Sequence, residues 1–164
     1  MDTTATPNAT AKKGSDAAGK YLTFTLAGED YGLPALKVRE IIRIMDITAV
    51  PHVPSYVRGV INLRGKVIPV VDLRQKLGFA TQEYGERTCI VVVEVALPTG
   101  KTLMGLVVDT VSEVLNIQPE EIEETPEFGG RIDTRDVRAM AKIKNKVKIL
   151  LDVDRILGGE NFGV

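Results

Sequence analysis

The chain has 164 residues, 44% of them hydrophobic and 26% charged, with a net charge of −1 and a pI near 5.9. That balance is the one expected of a globular domain able to bury a core without metals or disulfides, and it supplies no global field for a polyanion or an anionic membrane. A single cysteine excludes an internal disulfide, and a single histidine excludes zinc fingers and two-histidine metal sites, so no cofactor is expected.

Residues 1–19 are rich in Thr, Ala, Asn, Ser and Gly, with almost no large apolar side chain, and are read as a disordered tail. Order is expected from about Tyr21, where Tyr21, Leu22, Phe24 and Leu26 begin a hairpin that turns near Gly28. Residues 38–44 suit either helix or strand by spacing, and their β-branched content favours a strand. Pro51 and Pro54 exclude a helix between them, Ser55 is placed to cap a single turn through Arg58, and Gly59 is placed to end it. Residues 60–64 and 66–71 flank Gly65 as a tight hairpin, in which Pro69 calls for an edge or a bulge because it cannot donate to a ladder. Asp72 is a fitting N-cap for a short helix that Gly78 stops.

After a polar connection over residues 79–86, residues 89–97 form a long apolar strand in which Cys89 packs as a small hydrophobe. A turn near residues 98–101 leads into another strand. Residues 119–130 carry five glutamates with Pro119 and Pro126, the composition of a solvated acidic loop. Two further strands, over residues 137–143 and 147–152, precede a short helix around Arg155, Ile156 and Leu157. Residues 159–164 are read as a flexible C-terminus.

The pattern occurs twice. Residues 32–44 align without gaps on residues 105–117 with five of 13 positions identical, and residues 67–78 align on 147–158 with Val, Asp, Leu and Gly shared. Both halves keep the same order of events: hairpin, Gly-Leu, Val-x-Glu, a strand ending in Asp, and a helix closed by Leu-Gly. Chance similarity between amphipathic strands has no reason to preserve that order, whereas duplication does.

No set of residues suited to a reaction emerges. Between Gly59 and Gly65 lie five residues where a phosphate loop needs four, and Val67 replaces its Ser or Thr. The segment Gly100-Lys101-Thr102 leads into a strand, so it lacks the helix N-terminus that would cradle phosphate. His52 lies between two prolines with no nucleophile elbow in the chain, and the paired glutamates sit in a run with no apolar pocket to separate their pKa values. An enzyme is not expected. Arg135, Arg138, Lys142, Lys144, Lys146 and Lys148 form one basic run, and a strand would place alternate lysines on one face. A small-barrel nucleic-acid binder using residues 142–148 is therefore the alternative reading. Ile143, Asn145 and Val147 between the lysines offer no stacking surface, which favours a solvated face instead.

Taken together, Tyr31-Gly32-Leu33, Val38-Arg39-Glu40-Ile41, Arg58-Gly59-Val60-Ile61-Asn62-Leu63-Arg64-Gly65, Ile68-Pro69-Val70-Val71-Asp72-Leu73, Gly105-Leu106-Val107-Val108-Asp109 and Val111-Ser112-Glu113-Val114-Leu115 resemble the CheW family of chemotaxis coupling proteins. The resemblance runs from about Lys20 to Leu157. It implies an all-β fold with short helices, built from two tandem five-stranded SH3-like barrels over residues 20–158. The first barrel would cover about 20–82 and the second about 83–158, with an exchange of terminal strands left open. It further implies a stand-alone, non-catalytic adaptor in the cytoplasm, recruited to membrane-bound receptor arrays. Its partners would be the regulatory domain of a sensor histidine kinase of the CheA type and the cytoplasmic tip of chemoreceptors, the methyl-accepting chemotaxis proteins. By position, Val38, Glu40, Arg58, Gly59, Arg64 and Val114 would be the partner-binding residues. Arg64 has two readings: its donor fork reaches a partner carboxylate or carbonyl, or it forms an internal ion pair with Glu40 or Glu113.

Overall fold

The computed structural model describes residues 17–123 and 136–158. In chain order these form β1 (Gly19–Leu26), β2 (Glu29–Pro34), β3 (Val38–Arg43), β4 (Val57–Leu63), β5 (Lys66–Asp72), α1 (Leu73–Lys76), β6 (Cys89–Leu97), β7 (Gly100–Val108), β8 (Thr110–Ile117), β9 (Ile122–Glu123), β10 (Val137–Ile143), β11 (Lys146–Leu151) and α2 (Val153–Gly158). The all-β expectation with short helices holds, and residues 38–43 resolve as strand. The expectations for residues 1–16, 124–135 and 159–164 lie outside the described residues. Ala17 is already buried and β1 begins at Gly19, slightly before the expected start. The first part of the expected acidic loop is regular, with a 3-10 turn over Pro119–Glu121 and the two-residue strand β9 after it.

Two sheets form, in the orders β3-β6-β7-β5-β4 and β8-β1-β2-β11-β10-β9. Each returns on itself. In the first, Thr48, beyond the end of β3, exchanges backbone hydrogen bonds of 2.8 and 2.9 Å with Val60 on β4. In the second, β9 follows β8 through one turn and pairs with β10, which adds a short sixth strand to the five expected.

The expected division near residue 82 is not how the sheets are filled. Each half starts with a hairpin, and the two hairpins are exchanged: β1 and β2 join β8, β10 and β11, while β6 and β7 join β3, β4 and β5. The registers repeat. Gly32 pairs with Leu150 across the parallel β2–β11 ladder, as Gly105 pairs with Val70 across β7–β5. These are the residues that the sequence repeat aligns.

The exchange distributes the core. One face of β6 and β7 joins Ile61, Ile68 and Val70 inside one barrel, through Ile90, Val92 and Val107. Tyr21, Ile117, Ala139, Ala141 and Leu150 fill the other barrel. The opposite faces of both hairpins meet between the barrels, where Leu22, Phe24, Leu26 and Leu33 pack with Val91, Val93, Val95, Leu106 and Val108. A buried Val or Leu contributes about 1.5–3 kcal/mol, so this shared cluster outweighs the polar links at its rim. Those links are an Arg74–Asp109 ion pair of 2.6 Å, whose carboxylate also accepts from the Ala27 amide, and a Lys37–Asp154 pair of 2.8 Å, whose carboxylate accepts from the Ala96 amide. The first pins the β1–β2 turn to the second half of the chain, and the second ties both the end of β6 and Lys37 of the first half to α2.

Helix capping follows the sequence reading. Asp72 accepts from the Gln75 amide at 3.3 Å, its counterpart Asp152 accepts from the Arg155 amide at 3.1 Å, and Gly78 turns with φ +92°. Pro69 lies on neither an edge nor a bulge. It sits one residue before the parallel β5–β7 ladder starts at Val70, where no donor is required of it. No helical turn runs from Ser55 to Arg58: Val57 donates to the Pro54 carbonyl and β4 begins there.

Gly59 consequently ends no turn. It stands inside β4 at a β-bulge with φ +140°, and an added Cβ would collide with the Thr48 carbonyl that closes the barrel. Gly65, with φ +87°, faces open space in the hairpin turn. Gly59→Ala is expected to lower stability by about 2 kcal/mol or more, and Gly65→Ala by about 1 kcal/mol, because only the first adds a backbone collision to the strained φ. Urea unfolding of the two variants checks the order; equal losses would contradict it.

Candidate functional site

Arg64 and Gly65 occupy the tip of the β4–β5 hairpin, both with positive φ, the geometry of a two-residue type I′ turn. The turn places the Arg64 side chain, 70% exposed, opposite Glu40 on β3. The guanidinium donates to both carboxylate oxygens, with Nη1 to Oε2 at 2.9 Å and Nη2 to Oε1 as the second bond. Glu113, the alternative internal partner, lies in the other barrel and presents its backbone to Thr23. The internal ion pair with Glu40 is therefore the arrangement adopted.

The pair stands at the mouth of the β3–β7 barrel. A depression of about 820 Å³ opens there over an apolar floor that includes Leu63, Ile68, Val92 and Leu103. Its rim carries Arg39, Arg64, Lys66 and Lys101 against Glu40 and Glu94, and Glu94 is held by Arg39 and, at 3.4 Å, by Lys101. The hydrogen bond from Arg64, followed by its charge, holds the Glu40 carboxyl below its ordinary value; the same pairing raises Arg64.

The remaining expected residues, Val38, Arg58, Gly59 and Val114, lie outside this mouth. Val38 begins β3 half-buried against the central cluster. Arg58 projects from the β4 bulge, and Gly59 beside it is buried. Val114 lies on β8 of the other barrel, 57% exposed. Val38, Glu40, Arg58, Gly59 and Arg64 thus belong to one barrel, and Val114 belongs to its neighbour. Ile41, 43% exposed on β3, occupies the position that the repeat aligns with Val114, and the sequence reading passed over it. The signal was available, since offset 73 carries residue 41 onto residue 114. Tyr84 is a second residue missed: it sits in a polar connection and gave no pattern of its own.

The basic run does not make one face. Lysines 142–148 belong to a hairpin whose turn is Lys144-Asn145, so the alternation is broken at its centre. Lys142 lies opposite exposed Val147, whereas Lys148 lies opposite buried Ala141 and pairs with Asp30 at 2.9 Å. Among the described residues no group of His, Cys, Asp and Glu is placed to hold a metal ion, and no helix is long and apolar enough to cross a membrane.

Two interlocked small barrels presenting a charged, concave mouth and an exposed apolar side chain on each of two edge strands define a protein-binding scaffold. The chain belongs to the CheW-like domain family, whose model matches residues 20–161. It is 34% identical over 151 residues to a chemotaxis protein CheW of Klebsiella aerogenes, covering 92% of this chain and 89% of that protein. A chemotaxis protein CheW of Rhizobium meliloti is 31% identical over 150 residues, covering 92% and 94%. The scaffolding protein TtCheW from Thermoanaerobacter tengcongensis superposes with a TM-score of 0.76 at 34% identity, covering 90% of this chain and 97% of that one. Membership makes this a non-catalytic scaffold or adaptor of chemotaxis.

Because the folded-state pKa of Glu40 is depressed, the pair's contribution is present above the unfolded carboxylate value and is lost as pH falls through the folded one. Carbon-detected titration of the Glu40 carboxyl is expected to give a midpoint below the ordinary glutamate value, rising toward it in Arg64→Ala. A midpoint that Arg64→Ala leaves unmoved would remove the pairing.

Proposed function

We propose that this chain couples the cytoplasmic tips of chemoreceptors to a sensor histidine kinase of the CheA type, acting in the cytoplasm at membrane-bound receptor arrays. The receptor's helical tip lies along the apolar seam bordered by Val38 and Val114, with Ile41 contributing from the equivalent strand position. The kinase's similar regulatory barrel packs on the mouth that Glu40 and Arg64 guard, with Gly59 holding the β4 backbone against Thr48 beneath them. Binding both partners at once ties the kinase's activity to the receptor's state.

The observation that carries this reading is the exposure of the same apolar position, Ile41 and Val114, on the two repeat-related strands β3 and β8. Monomers seldom leave matched apolar side chains on edge strands without a partner to cover them. The mouth suits a second partner because its rim mixes both signs of charge around an apolar floor, the make-up of a specific interface.

Chemical-shift mapping of the labelled chain with a receptor-tip fragment is expected to perturb Val38, Ile41 and Val114. Perturbations confined to residues 142–148 would sink the receptor reading. For the kinase, Arg64→Ala is expected to weaken binding of its regulatory domain about tenfold in a titration, the loss typical of a well-placed interface arginine. An unchanged affinity would remove Arg64 from that contact.

A further inference from the structure

The two barrels carry the same bulge and use it differently. In β4–β5, Val57 pairs with Val71 and Gly59 with Val70, which leaves Arg58 as the extra residue. In β10–β11, Val137 pairs with Leu151 and Ala139 with Leu150, which leaves Arg138 as the extra residue. A bulge re-aims the side chain it carries, and here both copies aim an arginine at a tyrosine. Arg138 is engaged internally, its Nε donating to the Tyr21 hydroxyl at 3.0 Å while that hydroxyl donates to the Ala17 carbonyl.

Arg58 has no such engagement. Its guanidinium lies over the Tyr84 ring, 5.7 Å from the centroid, and among the described residues no carboxylate or carbonyl accepts from it. Tyr84 itself is fixed. Its ring packs against the core of the β3–β7 barrel, and its hydroxyl donates at 3.1 Å to Asp72, a carboxylate only 3% exposed that also accepts from the Gln75 amide. Burial, then the Asp72 charge, pushes the Tyr84 hydroxyl up to about 12, so it stays a neutral donor. Asp72 lines the same depression of about 380 Å³ as Arg58, with Thr81, Gln82 and Glu83 on its wall, but both of its carboxylate oxygens are already engaged, one by the Tyr84 hydroxyl and one by the Gln75 amide.

A guanidinium resting on an aromatic ring is a fork already oriented, so it loses less freedom on engaging a planar anion than a free arginine does. The matching group is a carboxylate, taken bidentately. We propose that Arg58, propped on Tyr84, is a docking point for an acidic side chain of the helical receptor segment. This rests on the receptor reading above. The choice of occupant follows from charge and from chain position: Tyr56 and Val57, just before Arg58, pack into the same cluster between the barrels against which Val38 packs. Glu83 on the wall is the chain's own competitor for the guanidinium, and it forms no ion pair with it.

The test is a titration of the full chain with a receptor-tip fragment and with the same fragment carrying Gln and Asn in place of its Glu and Asp. Arg58→Gln is expected to weaken binding of the acidic fragment about tenfold and to leave binding of the neutral one within twofold. Glu83→Gln is expected to strengthen the acidic fragment several-fold, and Tyr84→Leu, which removes the prop, to weaken it in step with Arg58→Gln. Wild-type binding that Arg58→Gln leaves unchanged, or weakens equally for both fragments, overturns this inference alone. A wild-type chain that binds neither fragment overturns the receptor reading and this inference with it.

Discussion

Everything in this molecule depends on the reciprocal exchange of two β-hairpins. The β1–β2 and β6–β7 hairpins each complete a barrel made otherwise from the other half of the chain, and each is buried on both faces. One face fills a barrel too small to be stable alone; the other builds the cluster between the barrels. Neither barrel can open without exposing both layers, so the two units act as one body, and the polar pins at Asp109 and Asp154 set the exact seating of a contact that apolar burial has already stabilised.

Burying the hairpins on both faces leaves the strands that are not exchanged to form the exposed surface. β3 and β8 stand at the ends of their sheets, and the β4–β5 and β10–β11 hairpins project from the barrels. Duplication supplied each element twice, and divergence then separated the copies. The first hairpin turns through Arg64-Gly65 and pairs with Glu40; the second turns through Lys144-Asn145 and sends Lys148 inward to Asp30. The bulge arginines diverge in the same sense, one bonded to a tyrosine hydroxyl within its barrel and one laid over a tyrosine ring. Two scaffolds of one design can thereby offer different surfaces without any change in the core that joins them.

Much of this is legible in the residues. The strands over residues 21–26, 66–71, 89–97, 137–143 and 147–152, the Asp72 cap and the Gly78 stop follow from local pattern and capping chemistry, because alternation, β-branching and αL glycines act within a few residues of themselves. The repeat was legible too, and its alignment of Gly32 with Gly105 and of Val70 with Leu150 reappears as the ladder register. Glu40 and Arg64 could be named as neighbours, although the sequence alone left Glu113 as an equal choice. Gly59 was singled out for the wrong reason: its sequence context, after Pro54 and Ser55, is that of a turn, and only the approach of Thr48 from a distant segment reveals a bulge under steric constraint.

The sequence by itself determined that the chain is all-β, duplicated, without a catalytic set, and similar from about Lys20 to Leu157 to one family, since the first three rest on composition, spacing and local order and the last on the residues of particular motifs. Which half each hairpin completes was decided only in three dimensions. Each hairpin carries one strongly apolar face, and its local pattern does not say which barrel its other face completes, so the choice falls to the shared central cluster in which the two apolar faces meet. The lysines of residues 142–148 and the setting of Arg58 and Tyr84 were decided at the same level. A turn splits the first between two faces, and a bulge brings the second together across a connection that carries no periodicity to read.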